Sequence, residues 1–175
     1  MIAILGDSCA GKTSIERELT KLWFNRIISY TTRPIRQSEI QDVDYHFIND
    51  NDFQLMLKND QLAEHTIYNG WCYGIAKEDC INDSIVVVEP VGYRMLKRNN
   101  NLNIVSFYIK VEERERVVRM MERGDNVMES FRRIISDQGS FNGIENEVDY
   151  IIENQRGKLD EAVKQIYYII QAKRR

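Results

Sequence analysis

Short apolar runs alternate along the chain with stretches whose apolar positions recur at helical spacing. The runs Ile2-Ala3-Ile4-Leu5, Ile27-Ile28-Ser29-Tyr30, Ile85-Val86-Val87-Val88, Ile104-Val105-Ser106-Phe107-Tyr108-Ile109 and Tyr150-Ile151-Ile152 are short and rich in β-branched residues. That is the pattern of strands buried on both faces. Ile15, Leu19 and Leu22 share one helical face after the first run, and Leu159, Ala162, Val163, Ile166, Ile169 and Ile170 share another near the C-terminus. Both stripes read as core. Together they predict an α/β fold, a parallel sheet flanked by helices.

Two stretches interrupt the alternation. Residues 31–76 are rich in polar, aromatic and turn residues, with short strands expected at Tyr45-His46-Phe47-Ile48, Ala63-Glu64-His65-Thr66 and Trp71-Cys72-Tyr73 around a helix at Asp52 to Lys58. This reads as a small sub-domain inserted into the sheet. Further on, Arg123-Gly124-Asp125-Asn126 separates a charged helix beginning near Glu112 from another carrying Phe131, Ile134 and Ile135. A glycine-bearing connection flanked by arginines suits a closing lid over 119–140. The expected division is one domain, 1–175, with a core of 1–30, 77–118 and 141–175, the insertion at 31–76 and the lid at 119–140.

Length and composition narrow the picture. At 175 residues and 43% hydrophobic content the chain buries one core but is short for two. A formal net charge of -3 without a strongly basic stretch argues against a nucleic-acid binder. Lys173-Arg174-Arg175 reads as a solvated helix end favoured by the dipole. No run approaches the roughly 20 apolar residues of a membrane-spanning helix, and the N-terminus enters a strand at once, so a cytoplasmic protein is expected. Cys9, Cys72 and Cys80 are odd in number and lack metal-ligand spacing, which fits a reducing compartment. His46 and His65 have no ligand cluster around them in the sequence.

The sharpest signal is Gly6-Asp7-Ser8-Cys9-Ala10-Gly11-Lys12-Thr13, which fits G-x-x-x-x-G-K-[ST] between a buried strand and a helix. Glycines at both ends let the backbone curl, so that successive N–H groups face a polyphosphate at a helix N-terminus. The ATP-binding stretch is then Gly6, Asp7, Ser8, Cys9, Ala10, Gly11, Lys12, Thr13 and Ser14. Lys12 would reach the terminal phosphates and the Thr13 hydroxyl would ligate Mg2+. A plain glycine turn would leave Lys12 merely exposed; the flanking strand and helix favour the phosphate cradle and, with it, a P-loop NTPase fold.

A second anion site is suggested by Ser29-Tyr30-Thr31-Thr32-Arg33-Pro34-Ile35-Arg36, followed by Glu39 and Asp44-Tyr45-His46-Phe47. Arg33 and Arg36, beside a proline-stiffened loop, are suited to grip a phosphate dianion through paired N–H groups, and Tyr45 and Tyr73 offer hydroxyls. This segment, with Asp52-Phe53, Leu62-Ala63-Glu64, Tyr73-Gly74, Arg123-Gly124 and Asp149-Tyr150-Ile151-Ile152-Glu153-Asn154, resembles guanylate kinase along nearly the whole chain. The resemblance assigns Arg33, Arg36, Tyr45 and Tyr73 to the acceptor phosphate. It gives Glu64 the task of accepting hydrogen bonds from guanine N1–H and its amino group, and Ser29 a contact with the base. Glu89 stands where the family has one of two strand aspartates, and Val87 where it has the other. Ile75 replaces a family Ser or Thr that touches guanine. Arg119, Arg123 and one of Arg132 or Arg133, by register Arg133, match arginines that close over ATP, in a lid one residue shorter than the family's.

The resemblance implies in-line transfer of the γ-phosphoryl group from Mg-ATP to GMP or dGMP, by a monomer or homodimer. Ile75 and Val87 keep open a different acceptor such as ribose 1,5-bisphosphate, whose kinases need no base site. A catalytically inactive binding module is the alternative of another class, against which Lys12 and Thr13 speak. A P-loop GTPase switch would require an Asn-Lys-x-Asp segment, which this chain lacks.

Overall fold

The first apolar run occupies the middle of the main sheet because it is apolar on both faces. In the computed structural model, which describes all residues except 37, 38, 69, 100 and 175, β1 (Ile2–Leu5) lies between β7 (Ser84–Val87) and β8 (Val105–Lys110). β2 (Asn25–Arg26) and β9 (Tyr150–Glu153) complete a five-stranded, all-parallel sheet of order β2-β7-β1-β8-β9. Successive side chains point to opposite faces. Ile2 and Ile4 therefore join one core with Ile15, Leu19, Phe107 and Ile166, while Ala3 and Leu5 join the other with Val86, Tyr93, Leu96 and Tyr108. Each fully buried aliphatic side chain contributes roughly 1.5–3 kcal/mol.

Helices cover both faces. α1 (Lys12–Thr20) and α6 (Leu159–Lys173) pack together on the first core, and α3 (Pro90–Arg98) on the second. α3 was not picked out in the sequence, although Pro90 at its first turn is a start signal. Leu22 corrects the proposed α1 stripe: the helix ends at Thr20 and Leu22 is 40% exposed. The run 27–30 is likewise not one strand. Ile27 continues the pairing of β2 through its N–H to Ile85 O, and the chain then leaves for a second sheet.

That second sheet has four strands in the order β4-β3-β6-β5: β3 (Tyr30–Thr31), β4 (His46–Phe47), β5 (Leu62–Tyr68) and β6 (Trp71–Ala76). α2 (Asp50–Lys58) crosses between β4 and β5, capped by Asn49, whose side chain accepts the Asp52 N–H. α4 (Glu113–Glu122) and α5 (Val127–Ser140) form a helical hairpin after β8. At the C-terminal end, Arg174 is less solvated than its charge suggests, for it stacks over Phe24 at 5.0 Å and pairs with Asp83. Arg175 lies outside the described residues. No helix among the described residues is long and apolar enough to cross a membrane.

Candidate active site

β1 pairs on one side with β7 and on the other with β8, both later in the chain. The order reverses there, and the crevice beyond the strand ends is where parallel α/β sheets bind ligands. Residues 6–11 leave β1 into this crevice. Gly6 passes so close to Ile109 O that a Cβ would stand 2.8 Å from it. Gly11, at φ +92, leaves no room for a Cβ beside Asn154 Nδ2, which donates to Ala10 O at 2.8 Å. α1 then starts with no side-chain cap and no acidic residue in its first turn. Its free N–H groups stay available to an anion.

Two cavities meet at this point. The first, about 430 Å³, is lined by Cys9, Ala10, Gly11, Lys12, Thr13, Ser14, Arg119 and Arg123, with Asn154, Gln155 and Arg156 on the far wall. The second, about 450 Å³, is lined by Ser8, Lys12, Thr13, Ser29, Arg33, Arg36, Tyr45, Glu64, Tyr73, Glu89 and Arg133. Lys12 and Thr13 line both. Most of the site residues expected from the sequence thus converge on two adjoining chambers. Gly6 and Asp7 line neither: Gly6 shapes the turn, and the Asp7 side chain points away to Tyr108 and Arg116.

The cationic groups rest on protein oxygens. Lys12 Nζ donates to Gly6 O and, at 3.0 Å, to Asp7 O. Arg119 spans Glu115 (3.1 Å), Cys9 O (3.4 Å) and Asn154 O (2.8 Å). Arg123 pairs with Asp125, and Arg133 with Glu129 at 3.0 Å. Arg33 is the most constrained: it donates to Pro34 O and to both carboxylate oxygens of Glu39, at 2.7 and 3.0 Å, between the rings of Tyr45 and Phe47. The fork expected for a phosphate is therefore engaged by Glu39, with Tyr73 as a further side-chain partner. Arg36 is exposed at the cavity rim.

Glu64 is a carboxylate whose burial no nearby charge offsets. Its residue is 4% exposed, and among the described residues no hydrogen bond or ion pair reaches it. Burial pushes its carboxyl up to about 7. An unpaired buried acid is costly, so its position at the wall of the second cavity marks a group kept for a ligand. Gly92 in α3 makes the space, since a Cβ there would overlap Glu64 Oε2. Ile75, opposite Glu64 in the β5–β6 pairing, is fully buried and presents no polar atom. Glu89, just after β7, is also raised, by burial that outweighs the nearby Lys12 ammonium.

Sequence reasoning missed Asn154 as the brace of the loop, and Arg116, Tyr108 and Asp137 as partners of Asp7 and Ser8. Arg116 sits among glutamates in the sequence and Asp137 in a polar helical stretch, so both read as surface charges. They are 4% and 5% exposed.

A glycine-framed loop carrying Lys12-Thr13 and leading into an uncapped helix at the switch point of a parallel sheet defines a P-loop nucleotide-binding protein. A family model described as guanylate kinase matches residues 1–173. The chain is 31% identical to the guanylate kinase of Agrobacterium fabrum, over 99% of this chain and 82% of that protein. It is 30% identical to that of Rickettsia prowazekii, over 99% and 91%. The crystal structure of guanylate kinase from Anaplasma phagocytophilum superposes with a TM-score of 0.74 at 21% identity, covering 99% of this chain and 85% of that one, a likeness of fold. The chain belongs to the guanylate kinase family.

Proposed function

We propose that this protein transfers the γ-phosphoryl group of ATP to the phosphate of GMP or dGMP. The observation that carries the reading is the pair of cavities joined at Lys12 and Thr13, with an unpartnered carboxylate, Glu64, in the wall of the second. ATP takes the first chamber, its phosphates along the N–H groups of residues 9–14. The monophosphate takes the second, with its base on Glu64 and Ser29 and its phosphate among Arg33, Arg36, Tyr45 and Tyr73. Residues 31–76 then act as the acceptor-binding insertion, 119–140 as the lid, and the remainder as the core.

Catalysis rests on positioning and on neutralising spread negative charge. Lys12 turns from its two loop carbonyls to the transferring phosphoryl group, and Arg119, Arg123 and Arg133 exchange their carboxylate partners for phosphate oxygens as the lid closes. No general base is required, because the acceptor phosphate is already ionised. Among the described residues no group of three or more His, Cys, Asp or Glu side chains is placed to hold a metal. One hydroxyl, Thr13, and one nearby carboxylate, Glu89, suit a hard cation that takes most of its ligands from phosphate and water. Mg2+ bound there would neutralise phosphate charge. A cytoplasmic setting fits three unpaired cysteines.

The test is ATP-dependent ADP formation with GMP, dGMP, AMP, CMP, UMP, dTMP and ribose 1,5-bisphosphate as acceptors. Selective turnover of GMP or dGMP supports the assignment. Turnover of ribose 1,5-bisphosphate alone would replace the acceptor, and none with any of them in folded protein would leave a binding module.

The raised Glu64 pKa gives a pH dependence with a defined sign. Guanine donates to this group, so binding needs the carboxylate, and kcat/KM for GMP should rise with pH to a plateau above about 7. Stability runs the other way. Folding favours the protonated acid, so this contribution is complete below the ordinary value of 4.5 and is lost as pH rises towards 7. Buried Glu16 titrates in the same window, so the acceptor kinetics isolate Glu64 where a melting curve does not. A flat acceptor profile between pH 5.5 and 8 would contradict the assignment.

Gly92→Ala tests the same site from behind. Alanine gains about 1 kcal/mol of helix propensity over glycine, but its methyl takes the volume of Glu64 Oε2. KM for GMP should rise at least tenfold, on the order of one lost charged hydrogen bond, while KM for ATP stays near wild type. An unchanged GMP KM would show that Glu64 is not held where the base binds.

A further inference from the structure

The loop that takes the phosphates is tied to the α4–α5 hairpin by a buried polar cluster. Asp137 Oδ2 in α5 accepts the Ser8 N–H at 2.8 Å, and its Oδ1 accepts the Ser8 hydroxyl at 3.1 Å. Arg116 Nη1 in α4 donates to Asp137 Oδ2 at 2.9 Å and lies 3.5 Å from Asp7 Oδ1. The other Asp7 oxygen accepts the Tyr108 hydroxyl from β8. Asp7, Arg116 and Asp137 are 9%, 4% and 5% exposed, and Arg116 Nε is buried without a hydrogen-bond partner.

Buried charges are a poor way to gain stability, since desolvation offsets much of their attraction. What they do impose is a particular geometry. Here that geometry joins the second and third residues of the phosphate loop to both helices of the hairpin. Arg119 follows Arg116 by three residues along α4, Arg123 by seven at the cap that ends it, and Arg133 precedes Asp137 by four along α5. These spacings place all three lid arginines within about two helical turns of the tie, on the faces it orients.

We propose that Asp137 is a positioning residue for phosphoryl transfer: with Arg116 it forms the fixed pivot of the lid, holding the front of the phosphate loop and setting the place of Arg133. This rests on the reading of the loop as the ATP site and of the hairpin as its lid. ATP binding leaves the tie in place, because the Asp137 carboxylate takes Ser8 at the start of the loop and not the N–H groups of Gly11, Lys12 and Thr13. The lid then closes about its root.

The experiment is steady-state kinetics per folded molecule, with folding followed by thermal melting, for Asp137→Asn, Asp137→Ala and the double variant Arg116→Met with Asp137→Leu. Asparagine keeps the volume, and the double variant removes the Arg116–Asp137 pair together; Asp7 then loses its Arg116 partner, so melting establishes that the variant is folded before its kinetics are read. Each is also made in an Arg133→Met background. We expect kcat to fall on the order of 10–100-fold, as for a displacement of about 1 Å at the reacting groups, and KM for ATP to rise. In the Arg133→Met background the fall in kcat should largely disappear, since the residue being positioned is gone. Kinetic constants within twofold of wild type in folded Asp137→Asn and in the double variant would overturn the proposal, as would losses that multiply with that of Arg133→Met. Should Arg133→Met alone leave kcat unchanged, the role given to Arg133 fails while ATP binding is intact. The pivot then stands or falls on the rise in KM for ATP.

Discussion

Lys12→Ala is expected to lower kcat by on the order of 10³-fold while leaving the melting temperature within a few degrees of wild type. The two effects separate because the residue has different partners in the two states. Among the described residues its ammonium bonds to Gly6 O and Asp7 O within its own loop and stands 5.9 Å from the Phe141 ring. Hydrogen bonds of this kind contribute about 1 kcal/mol net each. In the proposed transition state it would face the charge spreading over the transferred phosphoryl group, in a chamber that the proposed lid would shield from water. One preorganised donor at such a position is worth about 10²–10³ in rate, and a full positive charge at least as much. A thousandfold loss corresponds to about 4 kcal/mol of barrier, well above the ground-state interactions removed. Lys12→Arg should not restore the rate, because a planar fork does not fit where a compact ammonium fits. Near-normal turnover of Lys12→Ala, measured by ADP formation at saturating GMP, would sink the ATP site assignment.

The sheet and the phosphate loop were legible in the sequence for the same physical reason. Strands buried on both faces must be continuous apolar runs, and a backbone that wraps a phosphate favours glycine where φ is positive or another backbone segment passes close. Gly6 and Gly11 meet both demands. The break at 27–30 was less legible, because Ile27 and Tyr30 serve different sheets and apolar spacing does not say which. α3 was overlooked because Gly92 interrupts its apolar stripe, and that glycine exists to clear space for Glu64, twenty-eight residues earlier in the chain. Charged partners were the least legible. Arg33 reads as a phosphate ligand, yet its fork is held by Glu39. Asp7 reads as a member of the ATP loop, yet its side chain serves the Arg116 cluster. In each case the outcome depends on which opposite charge the fold brings near, and sequence spacing carries no information about that.

The acceptor site gives the other large expected effect. Glu64→Gln should lower kcat/KM for GMP by about 10²–10³-fold and raise that for AMP, so that the preference between the two purines narrows sharply. A carboxylate accepts from both guanine N1–H and the guanine amino group, each bond to a charged acceptor being worth about 1.5–3 kcal/mol. The glutamine amide keeps one acceptor and turns the other position into a donor, which faces a guanine donor. In the same pose adenine offers an acceptor at N1 beside its C2–H, and the amide N–H matches that acceptor where a carboxylate would repel it. Ile75 strengthens the expectation, because its apolar side chain provides no second polar contact that would hold guanine in place. Stability should move in the opposite direction to activity. Removing a carboxylate that is 4% exposed and has no hydrogen-bond or ion-pair partner among the described residues takes away a desolvation cost, so at pH 8 the variant should melt at or above the wild-type temperature. A protein made no less stable and yet less able to choose guanine would show that Glu64 is maintained for recognition against the interest of the fold. If the acceptor profile of Glu64→Gln matched that of wild type, the base would have to be read elsewhere, and the buried acid would need another explanation.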